Sequence, residues 1–436
     1  MADRAMVSRG LLASLTGGAL SLLLGVAVAS SAFAQNAAPA GAGPVFSPGG
    51  PDAEDLGAGE GYPVGSRFTT TQQRYLVGAY SHFDELFSSH LVGRSAHPWL
   101  FQRAAKEPEV RVYNRKSLAD YLADNPATGL LIAKDDKILF EHYQYGRTDR
   151  DRFLSQSMAK TIIGMLIGIA IADHAIASVD DLVATYVPGL AGTEYGKTPI
   201  RDLLHMSSGV RFEEKYDGQD DISRLVKDLF GRPGRPPVEA VAQFNTRVAP
   251  PGTTFHYASI ETEILGLVLK SAIKKPIADY LREKIWDPIG AEADASWVVD
   301  GSGQEVAFCC FNAVLRDYAR LGRLLAYDGA WEGRQLIPRQ WVIDATTVRE
   351  RDGYLAPGHL MPGFPLGYGY QVWLLRGERR MFVLLGIRGQ ALFVDPAAKL
   401  VMVHTAVRKN PTGLAQFTAV MDLWTAVDDQ LGSAER

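Results

Sequence analysis

The run Gly129-Leu130-Leu131-Ile132-Ala133-Lys134-Asp135-Asp136-Lys137-Ile138-Leu139-Phe140-Glu141-His142-Tyr143-Gln144-Tyr145 decides how this chain folds. Gly129 to Ala133 and Lys137 to Tyr145 read as strands, and the polar pair Asp135-Asp136 between them suits a hairpin turn. A matching set lies near the C-terminus: Gly369 to Leu375, Met381 to Ile387, Gln390 to Val394 and Leu400 to Ala406, separated by Arg376-Gly377-Glu378, Arg388-Gly389 and Asp395-Pro396. Between the two sets the pattern is helical over Ala159 to Ala172, Ser259 to Ser271, Ile277 to Ile285 and Ala313 to Tyr327, and it returns at Leu414 to Asp428. Strands at both ends and helices between them predict an α/β (α+β) domain over residues 129–430. Its central antiparallel sheet is built from both chain ends, and a helical insertion occupies about 159–365. An active site is expected in the cleft between sheet and insertion.

Upstream of the hairpin the chain changes character. Arg4 and Arg9 precede an uncharged run from Gly10 to Phe33, which ends in the small-residue pattern Ala32-Phe33-Ala34. This predicts a secretory signal peptide over 1–34, cleaved after Ala34, and export to a bacterial periplasm. A membrane anchor is the alternative, but the run is rich in Gly, Ala and Ser and closes on a cleavage pattern, so no stable membrane insertion is expected after processing. Residues 35–65 hold few large apolar side chains and are expected to be a flexible leader. Residues 66–128 have mixed character, with helical text at Tyr75 to Leu91 and Ser117 to Leu122, and carry no functional signal. The roughly 370 residues after the leader, in a chain that is 47% hydrophobic, suffice for one large domain or two intertwined ones.

Several function classes drop out on composition. A net charge of -4 argues against nucleic acid as a partner. The nine histidines show no ligand spacing, so neither a metal nor another cofactor is expected. The two cysteines, Cys309 and Cys310, are neighbours and are expected to be small buried apolar residues rather than a disulfide framework. Oligomeric state leaves no mark on the sequence.

Ser157-Met158-Ala159-Lys160 follows the hairpin. Three residues is nearly one helical turn, so hydroxyl and amine share a face. A serine hydroxyl needs a nearby base to become a nucleophile, and a lysine can be that base when burial lowers its pKa. Thr161 to Ala172 carries no charge, which predicts a helix buried all round with Ser157 at its positive end. The spacing recurs by chance at Ser271-Ala272-Ile273-Lys274, late in a helix beside Lys275, so context is what marks Ser157. A second element, Phe255-His256-Tyr257-Ala258-Ser259, follows the loop signal Pro250-Pro251-Gly252. The Tyr257 phenol could relay a proton near Lys160, or be a packing tyrosine with Ser259 as helix cap. A third, Gly386-Ile387-Arg388-Gly389-Gln390, lies between strands. It could give a backbone N–H to an oxyanion hole with that of Ser157, and it also reads as a hairpin turn with an exposed Arg388.

Ser-x-x-Lys, then Tyr-x-Ser, then a glycine-bearing strand motif resembles the serine β-lactamase and penicillin-binding-protein superfamily. Four further stretches are similar to its class C-like branch, which includes esterases and 6-aminohexanoate-dimer hydrolases. They are Ile200 to Gly209, Leu315 to Gly322, Gly367 to Trp373, and Gly389-Gln390 leading to Val394-Asp395-Pro396. The resemblance implies a β-lactamase-like fold, an acyl-enzyme on Ser157, a proton held by Lys160, and assistance from Tyr257. It also implies substrate or oxyanion contacts at Gly389, Gln390, Ser259 and Arg388, and a substrate contact at Tyr216 in the loop Glu213-Glu214-Lys215-Tyr216-Asp217. Where β-lactamases carry Lys-Thr-Gly this chain has Ile387-Arg388-Gly389, which argues against efficient β-lactam hydrolysis. The expected activity is hydrolysis of a small-molecule amide or ester. The alternatives are a β-lactamase or D,D-peptidase acting on cell-wall-like substrates, and a non-catalytic binding protein of the same fold.

Overall fold

The computed structural model describes residues 41–231 and 234–432. The expected signal peptide lies outside the described residues. No helix among them is long and apolar enough to cross a membrane.

Nine described strands form the central sheet: β1 (Val45–Phe46), β2 (Gln102–Arg103), β3 (Ala127–Lys134), β4 (Lys137–Tyr143), β5 (Gly367–Tyr368), β6 (Trp373–Leu374), β7 (Phe382–Gly386), β8 (Gln390–Asp395) and β9 (Leu400–Ala406). Across the sheet they run β1-β4-β3-β9-β8-β7-β6-β5, with β2 also pairing β4. The join of the two chain ends is the antiparallel pair β3–β9, with Met402 opposite Ile132. From β4 to β5 every neighbour is antiparallel, as expected, while β1 and β2 add to β4 in parallel and make the whole sheet mixed. β3 and β9 are buried along almost their whole length, as their apolar runs require, because both faces are covered.

One face carries α4 (Leu315–Ala326) and the other α5 (Leu414–Leu431), packed over β8 by Trp424 stacked on Phe393 at 5.1 Å. Gly322 lets α4 lie close to the sheet, since a Cβ there would come within 2.5 Å of Val401. The insertion after β4 holds two long buried helices, α2 (Ala159–Ala172) and α3 (Ser259–Ile273). It is not purely helical: Phe153–Leu154, Ala295–Val298 and Phe311–Ala313 form a second sheet with Ser89–Val92.

Two expectations are corrected here. Residues 41–65 are not a free leader. β1 pairs with His142 and Tyr143, and Leu56 and Tyr62 are buried against α1 (Leu76–Ser81) and Tyr145, so a few well-placed apolar groups anchor a Gly- and Pro-rich segment. Cys309 and Cys310 are buried, but they are joined to each other in a disulfide. Cys310 adopts φ +71° in a tight turn that brings the two side chains together; the bond links neighbours and ties no distant elements.

Candidate active site

The approach to Ser157 is fixed from several sides. Phe153 and Leu154 pair with Ala313 and Asn312, and Ser155 N–H donates to the Phe311 carbonyl at 2.8 Å. Gln156 then takes φ +45°, a conformation costing a non-glycine residue on the order of 1–3 kcal/mol and kept only where neighbours impose it. One 3₁₀ turn, Gln156–Met158, leads into α2. β7 lies directly against this turn because Gly386 has no side chain; a Cβ there would meet Ser155 O at 2.6 Å and Gln156 Cβ at 2.9 Å.

Lys160, one turn into the structure, is only 1% exposed. Its Nζ donates to Ser157 Oγ at 2.8 Å and to the Phe308 carbonyl at 2.9 Å. The Tyr257 and Phe308 rings have their centroids 5.2 and 5.5 Å away. Burial brings the lysine pKa down to about 8, while the Glu214 and Glu263 carboxylates partly offset this. Near neutral pH a usable fraction of the amine is therefore unprotonated and can accept a proton from Ser157.

Tyr257 arrives on the extended residues before α3. Its ring stacks on Trp373 at 5.3 Å and 21°, and its phenol faces the Ser157 hydroxyl. Burial pushes the phenol pKa up, reinforced by Glu214, so Tyr257 holds its proton. Gln371 ties the two site helices together. Thr161 Oγ1 donates to its carbonyl at 2.6 Å, Thr262 Oγ1 donates to its Oε1 at 2.6 Å, and its own amide donates to Leu203 O at 2.8 Å.

Glu214 accepts from Ser259 N at 2.7 Å, Ser259 Oγ at 2.8 Å and the Tyr216 hydroxyl. It thus pins the 213–220 loop to the start of α3, and Asp220 holds the same loop by accepting from Lys215 and Tyr216 N–H groups. A pocket of about 620 Å³ opens in front of Ser157, well within the range of small-molecule sites. Its walls are mainly apolar, with Trp373, Met361, Phe364, Ile387 and Leu414 among them, and Tyr216 and Tyr257 line it.

Residues 115–420 match the family model described as Beta-lactamase. The chain belongs to the beta-lactamase family. A 6-aminohexanoate-dimer hydrolase from Paenarthrobacter ureafaciens is 27% identical over 299 residues, covering 67% of this chain and 76% of that protein. A Bacillus anthracis structure provisionally assigned as a 6-aminohexanoate-dimer hydrolase superposes with a TM-score of 0.75 at 25% identity, over 84% of this chain and 97% of the other. A family VIII carboxylesterase shares the fold alone: TM-score 0.53 at 16% identity, over 71% of this chain and 95% of the other. The β-lactamase-like fold expected from the sequence is present, and the chain is a hydrolase of this family.

Within this beta-lactamase-family site the structure brings Ser157, Lys160, Tyr257 and Tyr216 together at one pocket. Gly389 and Gln390 line it too, but the Gln390 amide is engaged with the backbone of Ala406. Ser259 turns its hydroxyl to Glu214. Arg388 is buried, not exposed, and donates to the carbonyls of Arg408 and Lys409. Glu214 carries no functional signal in the sequence, because a carboxylate beside Glu213 and Lys215 reads as solvated loop. The Phe308 carbonyl carries no side-chain signal at all.

Proposed function

We propose that the chain is an exported serine hydrolase that cleaves a small amide or ester through an acyl-enzyme on Ser157, with Lys160 and Tyr257 as the proton-transfer pair. The observation that carries this reading is the 2.8 Å contact between Ser157 Oγ and the amine of a lysine almost wholly removed from water. In the proposed course, neutral Lys160 takes the Ser157 proton as Oγ adds to the substrate carbonyl carbon. The oxyanion is met by the N–H of Ser157 and by N–H groups of the Gly386–Gln390 segment, which β7 holds beside it. Tyr257 passes the proton from Lys160 to the leaving nitrogen or oxygen, the C–N or C–O bond breaks, and the amine or alcohol departs. Water, activated by the same pair, then releases the acid and restores Ser157.

The apolar wall suits an acyl or leaving group made of methylenes, as the name of the Paenarthrobacter relative implies for its own substrate. Tyr216 is proposed to contact the scissile amide from the pocket rim. Export rests on the signal-type N-terminus, with cleavage after Ala34 and delivery to the periplasm. The second reading, a β-lactamase or D,D-peptidase, draws on the presence of Arg408 among the residues that line the pocket.

Intact-mass spectrometry after exposure to a fluorophosphonate ester and, separately, to a penicillin tests all three readings, with Ser157→Ala as control. A single fluorophosphonate adduct lost in the variant is the expected result. Rapid penicillin acylation and turnover would move the assignment to the β-lactam reading, and no adduct with either reagent would leave a binding protein.

A further inference from the structure

Residues 66–128 carry no motif, yet one side chain from this segment reaches the back of the active site. Tyr80, on α1, is 5% exposed. The Gln156 side-chain amide donates to its hydroxyl at 2.8 Å, and the Arg388 guanidinium lies beside the same hydroxyl. These two neighbours are not ordinary positions. Gln156 directly precedes Ser157, and Arg388 directly follows Ile387, so each flanks one of the two backbone segments that face the pocket. Both residues also hold left-handed backbone, φ +45° at Gln156 and φ +62° at Arg388, which non-glycine side chains adopt only where the surroundings impose it.

We propose that Tyr80 is a positioning residue for the oxyanion hole: its hydroxyl joins the turn before Ser157 to the turn after β7 and so sets the spacing of the N–H groups contributed by each. This rests on the acyl-enzyme reading of Ser157. The chemistry demands such a fixture, because donors on two separate chain segments stabilise developing charge only when their spacing is set in advance. Gly386 lets β7 pack directly against the turn before Ser157, but the other hydrogen bonds described for the two segments each serve one side alone. Ser155 is held by Phe311, and Arg388 is held by the carbonyls of Arg408 and Lys409, while the Tyr80 hydroxyl touches both. Bringing α1 to this place also gives residues 66–128 a role: the segment buttresses the site from behind rather than lining it.

The test is Tyr80→Phe in the full chain, compared with wild type and Ser157→Ala on a p-nitrophenyl ester and in fluorophosphonate labelling. Loss of the hydroxyl alone is expected to lower kcat by about 10- to 100-fold, with KM within about twofold and the melting temperature nearly unchanged. Gln156→Met removes the same bond from the other side without touching the core around Tyr80; it is expected to show the same split, and the double variant little further loss. Should Tyr80→Phe fail to fold, Gln156→Met decides alone. Wild-type labelling at Ser157 with undiminished kcat in the variants would overturn the role of Tyr80 and leave the hydrolase reading intact. No labelling of wild type would remove the hydrolase reading itself.

Discussion

The two walls of the pocket are built in opposite ways. On the inner wall Lys160 is 1% exposed, its amine is held at 2.8 and 2.9 Å, and Gln371 bolts α2 to α3 through threonines on both helices. On the outer wall Met361 is 48% exposed in a segment of turns, and Leu414, the first residue of α5, is 80% exposed. Aromatic contacts such as Phe364 against Phe417 at 6.0 Å replace the dense hydrogen bonding of the inner side. Groups that must meet within a few tenths of an ångström sit where hydrogen bonds fix the backbone and side chains around them. Groups that only need to exclude water and fit a chain sit where the backbone can adjust. Under the proposed function the inner wall would set what reaction occurs, and the outer wall what enters.

This contrast breaks most sharply at Lys160. Replacement by methionine is expected to lower kcat by about 10³-fold or more, since it removes the proposed base. Its effect on stability should be small or even favourable. Holding the lysine at a pKa of about 8 instead of 10.5 costs on the order of 3 kcal/mol, while losing its bond to Phe308 O costs about 1–3 kcal/mol. Because the folded-state pKa is the lower one, the unfolded chain binds more protons between about pH 8 and 10.5, and wild-type stability should rise with pH across that window. A variant that is inactive and also melts far below wild type would show that the amine is structural.

The pH profile sharpens the same point. In the proposed mechanism neutral Lys160 is the active form, so kcat/KM should fall tenfold per unit below an acid limb centred at about 8. Glu214 is the carboxylate that most holds this pKa up. Glu214→Gln should therefore move the acid limb to lower pH, even if the plateau drops because Tyr216 and Ser259 lose their charged acceptor. A limb that stays in place would mean that the titrating group is not Lys160.

Legibility in the sequence followed the same division. The hairpin at 129–145 and the closing strands are legible because short apolar runs bounded by turn residues read as strands buried on both faces. That Ser157, Lys160 and Tyr257 meet at one place is legible because their side chains carry motif spacing. What stayed hidden works through the backbone or across long separations. The Phe308 carbonyl has no side-chain signature, and Tyr80 meets Gln156 over seventy-six positions. The outer wall is equally silent, since neither a lone Met361 in a polar loop nor a Leu414 at a helix start carries any sign of a pocket. The ordering of residues 41–65 is not legible in the sequence, because edge pairing with β4 rests on backbone bonds that composition does not report.

The smallest expected effect lies on that outer wall. Met361→Ala and Leu414→Ala each remove an exposed apolar side chain that a bound methylene chain would cover, and neither touches Ser157, Lys160 or Tyr257. With about 25 cal/mol per Å² of buried apolar area, each should raise KM for a long-chain ester about three- to tenfold and leave kcat within about twofold. The melting temperature should not move, because neither side chain is buried in the free protein. A short acyl group such as acetate reaches neither residue, so the penalty should vanish for acetate esters. A series of p-nitrophenyl esters of increasing length measures this directly. If the variants lose as much on acetate as on the longest ester, the outer wall is part of the catalytic machinery after all, and the division between a fixed inner wall and an adjustable outer one fails.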